Sequence, residues 1–301
     1  ENPRFGMLVF GASMLFNTLG NYVLIFGKLG FPALGITGAA AATLLSRVVE
    51  FILAFSYALR CRTVPLMRRA LLHPGMDMLR RFLRYSAPVL INETLWGLGF
   101  SMITVIMGHM AASSDLIAAY TLAGNIDKLM TSGIFGIAAA VAVIVGKEIG
   151  AGNLDGVYNV GRALCFTAAA FGLVVGVLEY VMFLALMRPY VMPLFSLSSA
   201  AERLCSVMIA CYACAMPLHS FSTTMVVGVL RGGGDVRASL VIDNVPLWCV
   251  ALPVMYLLGI VLKVPNETFC LCLMLESAAK TPAGILRVHS GKWVHDITRI
   301  E

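Results

Sequence analysis

An acidic side chain stands inside an apolar run at Pro88-Val-Leu-Ile-Asn-Glu-Thr-Leu-Trp96. No basic residue lies within four positions of Glu93. A charge at the centre of a membrane helix costs about 2.5–3.5 kcal/mol even on insertion scales, so a retained one marks function unless it is paired or near a helix end. A carboxyl there suits a proton carrier or a cation site, and Asn92 and Trp96 add a polar and an aromatic surface to it. The structural alternative is a carboxyl held neutral by burial, or one that reaches the interface.

Further polar groups fall in comparable runs. Glu276 and Lys280 are spaced i, i+4 with the acid first, the favourable order for a helical pair; they can neutralise each other or form part of a site. Arg47 and Glu50, i and i+3, invite the pairing reading. Asp127 and Lys128 are adjacent, hence about 100° apart on a helix and unable simply to pair. With Tyr120 and Asn125 they make two polar turns. Asp243 and Asn244 read as the opening of a segment near the interface. Glu179 is alone in its segment, facing a wet interior or serving a proton relay. Asn17 and Asn21, one turn apart, suit hydrogen bonds to a neighbouring helix.

These residues need elements to carry them, and composition says which kind. Of 301 residues, 59% are hydrophobic and 13% charged, against about 25% charged in soluble domains. That excludes a water-soluble globule, a disordered chain and a secreted disulfide scaffold. Since a ~30 Å hydrocarbon core needs roughly 20 apolar residues, eight helical spans are expected: Gly6–Phe26, Ile36–Leu59, Ala87–Met110, Ile117–Val145, Tyr158–Leu186, Leu204–Val229, Leu240–Leu262 and Phe269–Val288. The runs are too long and too continuously apolar for barrel strands. Gly27–Pro32, Gly150–Asn153 and Arg231–Asp235 read as breaks. A chain that opens at Glu-Asn-Pro reads as a piece of something longer.

Basic residues set a direction. Arg60, Arg62, Arg68, Arg69, Arg80, Arg81 and Arg84 face one acid, Asp77, between the second and third spans. The positive-inside rule makes that loop cytoplasmic. Alternation puts Lys147, Arg162, Arg231, Arg237 and a tail with Lys292 and Arg299 on the same side. Lys28, Arg188 and Lys263 fall opposite. The basic balance thus reflects topology, and no nucleic-acid partner is expected.

Soluble-enzyme signatures are missing. Gly232-Gly233-Gly234 has no preceding strand and no following Lys-Ser/Thr, so it is not a phosphate loop. The Cys211/Cys214 C-x-x-C is read as weakly polar packing, and no metal site or cofactor is expected. Gly38 with its following alanines, Gly146-x-x-x-Gly150 and Gly172-x-x-x-Gly176 suit close helix packing.

Several motifs resemble one family. Asn21-Tyr-Val-Leu-Ile-Phe-Gly27 followed by Pro32-Ala-Leu-Gly-Ile-Thr-Gly-Ala-Ala-Ala-Ala-Thr43 is similar to helices five and six of the multidrug and toxic compound extrusion (MATE) family. Val145–Asn153 resembles its segment after helix eight, Gly228–Arg237 the segment after helix ten, and Ser290-Gly-Lys-Trp-Val294 the tail of bacterial members. The resemblance implies an all-α polytopic membrane protein: eight transmembrane helices of a twelve-helix, two-lobe transporter, with the first four helices lying outside this chain. It divides the chain into the last two helices of the first lobe (1–59), a basic cytoplasmic linker (60–86), a six-helix second lobe (87–288) and a cytoplasmic tail (289–301).

The implied function is export of organic, cationic compounds across the cell membrane by antiport with H⁺ or Na⁺, not catalysis. The partners are a small organic substrate and membrane lipid. Many members carry a helix-seven carboxylate, where Glu93 falls; Asn92, Trp96, Tyr120, Asn125, Asp127, Glu276 and Lys280 complete the expected ion or substrate site. The helix-ten acid of some members has no counterpart in Leu204–Val229, which offers Tyr212, His219 and hydroxyls. A flippase for lipid-linked precursors, in the same superfamily, and an inactive truncated fragment are the alternatives.

Overall fold

The computed structural model describes residues 3–60, 75–195 and 197–295. Among these residues eight helices are long and apolar enough to cross a membrane, in the order and close to the bounds that hydropathy predicts. The chain divides into two units, 1–80 and 81–301.

In the first unit α1 (Pro3–Phe26) and α2 (Gly35–Arg60) form a hairpin. Gly27, at φ 64°, turns the chain after α1, a conformation that costs a glycine little. Gly38 lets the helices close: a Cβ there would lie 2.5 Å from the Leu24 carbonyl oxygen. Asn17 donates to Thr43 Oγ1 (3.3 Å) and Ser46 Oγ (3.4 Å) across the pair, and Asn21 donates to Asn17. The asparagines are therefore packing groups. Arg47 and Glu50 pair at 2.6 Å, and Ser13 donates to the same carboxylate.

The second unit holds the other six spans. They begin with α3 (Met76–Gly108, of which the first turn precedes the boundary), α4 (Ser113–Gly150) and α5 (Leu154–Met182, continued by a π-helical turn Phe183–Val191). Next is α6 (Ser199–Thr223, continued by Thr224–Leu230). The span α7 opens at Val236–Val245 and runs on through Pro246–Ala251, Leu252–Tyr256 and Leu257–Val261. The last span, α8, joins Asn266–Cys270 and Leu271–Met274 to Leu275–His289. Ser198 caps α6 by accepting from the Ala201 N–H, and Asp235 caps α7 by accepting from that of Ala238, the usual N-cap chemistry. The widened turn at the start of Pro246–Ala251 follows from a proline, which has no N–H to donate and crowds the preceding turn.

Among the described residues the unit has two large apolar cores and a small third cluster of Ile134, Val175 and Met216. One gathers Ile103, Met107, Leu116, Phe183, Met208, Leu247 and Phe269; the other gathers Val145, Val157, Met225, Leu230 and Trp293. Gly172 and Gly176 do what their spacing predicts. A Cβ on Gly176 would lie 2.4 Å from the Ala213 carbonyl oxygen, and one on Gly172 would lie 2.5 Å from Ser220 Cβ. Gly146 and Gly150 do not: the space beside each is open. The Ser290–Val294 segment folds back onto the end of α6. Fully buried Trp293 lies against Gly161 and Gly233, and the His295 N–H donates to the Gly233 carbonyl (2.9 Å). The outward face of α5 exposes Leu173, Val174, Val177, Leu178 and Val181, a continuous apolar strip of the kind lipid covers.

Candidate functional site

Among the described residues, two small cavities in the six-helix unit hold polar side chains and share His219 as a wall residue. The first measures about 70 Å³ and holds Asp127 and Tyr120 of α4, Tyr212 of α6, and Glu276 and Ser277 of α8. The second measures about 40 Å³ and holds Glu93 and Trp96 of α3, Thr223 and Arg231 from the α6 end, Asp243 of α7 and Lys280 of α8. His219 sits one turn from Thr223, 3.4 Å away. It lies within electrostatic reach of Lys280, Glu276 and Asp243.

Lys280 ties the two cavities together. Its ammonium donates to Asp243 Oδ1 at 2.7 Å and to Glu276 Oε1 at 2.8 Å, with the lysine side chain 8% exposed. Asn92, 1% exposed, donates to Asp243 Oδ2 (2.8 Å) and accepts from Asn244 (2.6 Å). Trp248 Nε1–H donates to the Leu95 carbonyl, which adds a second tie between α7 and α3. Charge-assisted bonds of this length are strong only when every remaining lone pair has a partner. At Asp243 each oxygen has one donor, Lys280 on one and Asn92 on the other, whereas Asn244 Oδ1 in the same network is buried without a partner among the described residues.

Two expectations from the sequence are corrected here. Asp243 and Asn244 do more than open a span: they lie two turns inside α7 and face into the helix bundle. They are 8% and 6% exposed, at the centre of a network spanning α3, α7 and α8. Linear spacing could not find this, because the partners lie 37 and 151 residues away. Glu93 is not unpartnered either. Its carboxylate pairs with Arg231 at 2.7 Å, and Arg231 belongs to the helical end of α6 rather than to an external loop. Glu93 itself keeps a 56% exposed side chain.

The other sequence candidates separate. Glu276 and Lys280 pair as their spacing allows. Tyr120 and Asp127 share the first cavity, and Tyr120 lies within electrostatic reach of both Asp127 and Glu276. Trp96 lines the second cavity and packs on Phe100 with ring centroids 4.5 Å apart. Asn125 is exposed on α4 and lines neither cavity. Among the described residues Asp127 has no ion-pair partner; Lys128 acts on it only through space, from an exposed position. Cys211 and Cys214 stay free, one buried and one exposed. Among the described residues no His/Cys/Asp/Glu cluster could hold a metal. Sequence reasoning missed Arg231, Asp243 and Asn244 as site residues. It mentioned Tyr212 and His219 only in passing.

The MatE family model matches residues 88–257, from the start of the third span to near the end of the seventh. The chain belongs to the MatE family. It is 26% identical over 292 residues to a probable multidrug resistance protein NorM of Thermotoga maritima, an alignment covering 97% of this chain and 61% of that protein. It is 30% identical over 260 residues to the protein of the same name from Halalkalibacterium halodurans, covering 85% of this chain and 55% of the other. The chain thus spans a little over half the length of these relatives. A MATE crystal structure in complex with MaL6 superposes over 95% of this chain and 63% of its own, with TM-score 0.77 at 20% identity. An outward-facing multidrug resistance MATE family transporter of the MOP superfamily matches over 95% of this chain and 62% of its own, again with TM-score 0.77, at 19% identity. The fold is that of a MATE transporter, and the eight apolar helices make the chain a multi-pass membrane protein.

Proposed function

We propose that the complete transporter to which this MatE-family chain belongs exports organic cations in exchange for H⁺ or Na⁺, with Asp127 as the coupling carboxylate of the six-helix lobe. The carrying observation is that Asp127 lines an interior cavity and, among the described residues, has no ion-pair partner. Each of the other acids of the two cavities touches a basic side chain: Glu93 touches Arg231, and Asp243 and Glu276 share the single charge of Lys280. An unmatched acid in a low-dielectric interior attracts a cation or a proton. Glu93, which the family pattern suggests for this role, already has a resident cation.

Cavity size supports a division of labour. Drug-sized ligands need about 300–1,000 Å³, whereas about 70 Å³ accommodates a small ion or a few waters. In this conformation the cavity suits the coupling ion. In this reading residues 1–59 close the first lobe, 87–288 form the second, and the arginine-rich Arg60–Arg84 stretch faces the cytoplasm of a cell-membrane transporter. A membrane potential of 100 mV supplies about 2.3 kcal/mol per charge moved, enough for tens-fold accumulation. Lys280 lies between two carboxylates, which argues against the lipid-precursor flippase, since that activity needs free cations for a pyrophosphate.

The test is competition at equilibrium. On the complete transporter in detergent, the affinity for tetraphenylphosphonium is expected to fall as Na⁺ or H⁺ rises. Asp127→Asn is expected to remove that dependence. Competition that persists unchanged in Asp127→Asn refutes the assignment.

A further inference from the structure

A groove on the outer side of the six-helix unit has no role in the arrangement above. It measures about 480 Å³ and runs between the start of α5 and the end of α8, with Phe221 of α6 as its floor. That size lies within the ~300–1,000 Å³ of small-molecule sites.

The groove is polar at one end and apolar at the other. At the polar end the Tyr158 hydroxyl donates to the His289 carbonyl (3.3 Å) and stands 3.1 Å from His289 Nδ1, which ties α5 to the end of α8. The Arg162 guanidinium leans toward that tie, its carbon 5.8 Å from the centre of the Tyr158 ring. Asn159 stands on the same wall. The apolar end is made by Phe166, Phe221 and Ile285, with the two rings 6.0 Å apart. Phe166 is seven residues beyond Asn159, hence about 10 Å farther along the helix. Ile285 is one turn inward of His289 on α8. Both walls therefore grade from polar to apolar in one direction, from the ends of the spans inward.

Charge and position select the ligand. Among the described residues no acid lines the groove and none pairs with Arg162. An exposed cation beside an apolar slot attracts an anion with an apolar body, and repels an organic cation. Arg162, Phe166, Ala170, Leu173, Val177 and Val181 follow one another at i+3/i+4 spacing and are exposed within this chain, so the groove opens on the apolar strip of α5. The positive-inside rule assigns this end of α5 to the cytoplasmic side, where the leaflet carries anionic lipid. A second groove farther along α5, about 620 Å³, is lined by Leu173, Val181, Ala210 and Pro217 and by no charged residue. It has the slot without the cation.

We propose that the α5–α8 groove binds one anionic phospholipid of the cytoplasmic leaflet, with its phosphate on Arg162 and His289 and an acyl chain along Phe166 and Ile285. A guanidinium takes phosphate oxygens through paired, charge-assisted bonds, and the Asn159 amide is a further donor. The bound lipid bridges α5 and α8 beside the Tyr158–His289 tie. The site is independent of the Asp127 assignment, since no residue of either interior cavity lines this groove.

The experiment places the complete transporter in phosphatidylcholine nanodiscs and adds phosphatidylglycerol with a photoreactive acyl chain. Cross-links are mapped by peptide mass spectrometry, and a phosphatidylcholine probe with the same chain is the control. The phosphatidylglycerol probe is expected to label residues 159–166 and 285–289 about fivefold more than the control, the effect of one basic side chain on an anionic lipid. Arg162→Gln is expected to bring the two probes level. Ala163→Trp, which fills the groove and keeps Arg162, is expected to do the same, and it serves alone should Arg162→Gln fail to fold. Equal labelling in wild type, or a preference that survives both variants, overturns the proposal. A preference abolished by inorganic phosphate reveals a free-anion site and overturns the lipid assignment. Absence of labelling by either probe means that another part of the transporter covers the groove, and overturns it as well.

Discussion

The two sides of the six-helix interior treat their acids differently. On the α3–α7–α8 side every acid that lines a cavity has a cation of the chain in contact with it: Arg231 on Glu93 and Lys280 on Asp243 and Glu276. On the α4–α5 side Asp127 and Glu179 have none among the described residues. The lesson is that sequence position within a span does not identify the working acid. Matched charges act as interhelical ties, and their removal harms packing. In the proposed scheme an acid without such a contact is free to hold an exchangeable ion, and its removal is expected to harm coupling while the fold survives.

The largest effect expected from breaking this contrast is on the matched side. Lys280→Met leaves Asp243 and Glu276 without their cation, and stranding one member of a buried pair costs about 3–5 kcal/mol. Thermal unfolding in detergent is expected to show a large loss of stability, with part of it restored in Lys280→Met/Asp243→Asn. A stable single variant would mean that the network is not a structural tie. Next comes Gly176→Ala in the packing seam. Its new Cβ would lie 2.4 Å from a backbone carbonyl oxygen, so a loss of about 1–3 kcal/mol is expected from overpacking, and an unchanged unfolding curve would place α5 farther from α6. Glu93→Gln breaks a pair whose acid is more than half exposed within this chain; such pairs contribute about 0.2–1 kcal/mol, and Na⁺ or H⁺ competition is expected to be unchanged. Arg47→Gln in the α1–α2 hairpin is the smallest, about 0.3–0.5 kcal/mol for an exposed helical pair.

Much of this organisation is legible in the residues themselves. Hydropathy placed all eight spans, because a bilayer demands long apolar helices and little else looks like one. Motifs around Asn21, Gly146 and Gly228 carried the family resemblance. Local charge pairs were also legible: Glu276–Lys280 and Arg47–Glu50 are fixed by helical geometry alone. The interhelical contacts were not. Asp243 reads as the start of a span when viewed along the chain, and only the crossing of α3, α7 and α8 brings Asn92 and Lys280 to it. Glu93 reads as unpaired because Arg231 is far away in sequence and sits among glycines that look like a loop. Trp293 reads as part of a polar tail, yet Gly161 and Gly233 leave a slot that its indole fills.

The contrast between matched and unmatched acids is tested most directly by transport in proteoliposomes reconstituted with the complete chain. An imposed pH gradient, and separately a Na⁺ gradient, would be used to drive efflux of a fluorescent organic cation in wild type, Asp127→Asn and Glu93→Gln. The account predicts gradient-driven efflux in wild type and Glu93→Gln, and loss of gradient dependence in Asp127→Asn. Loss in Glu93→Gln with retention in Asp127→Asn would contradict it, and would return the coupling role to the acid that Arg231 holds.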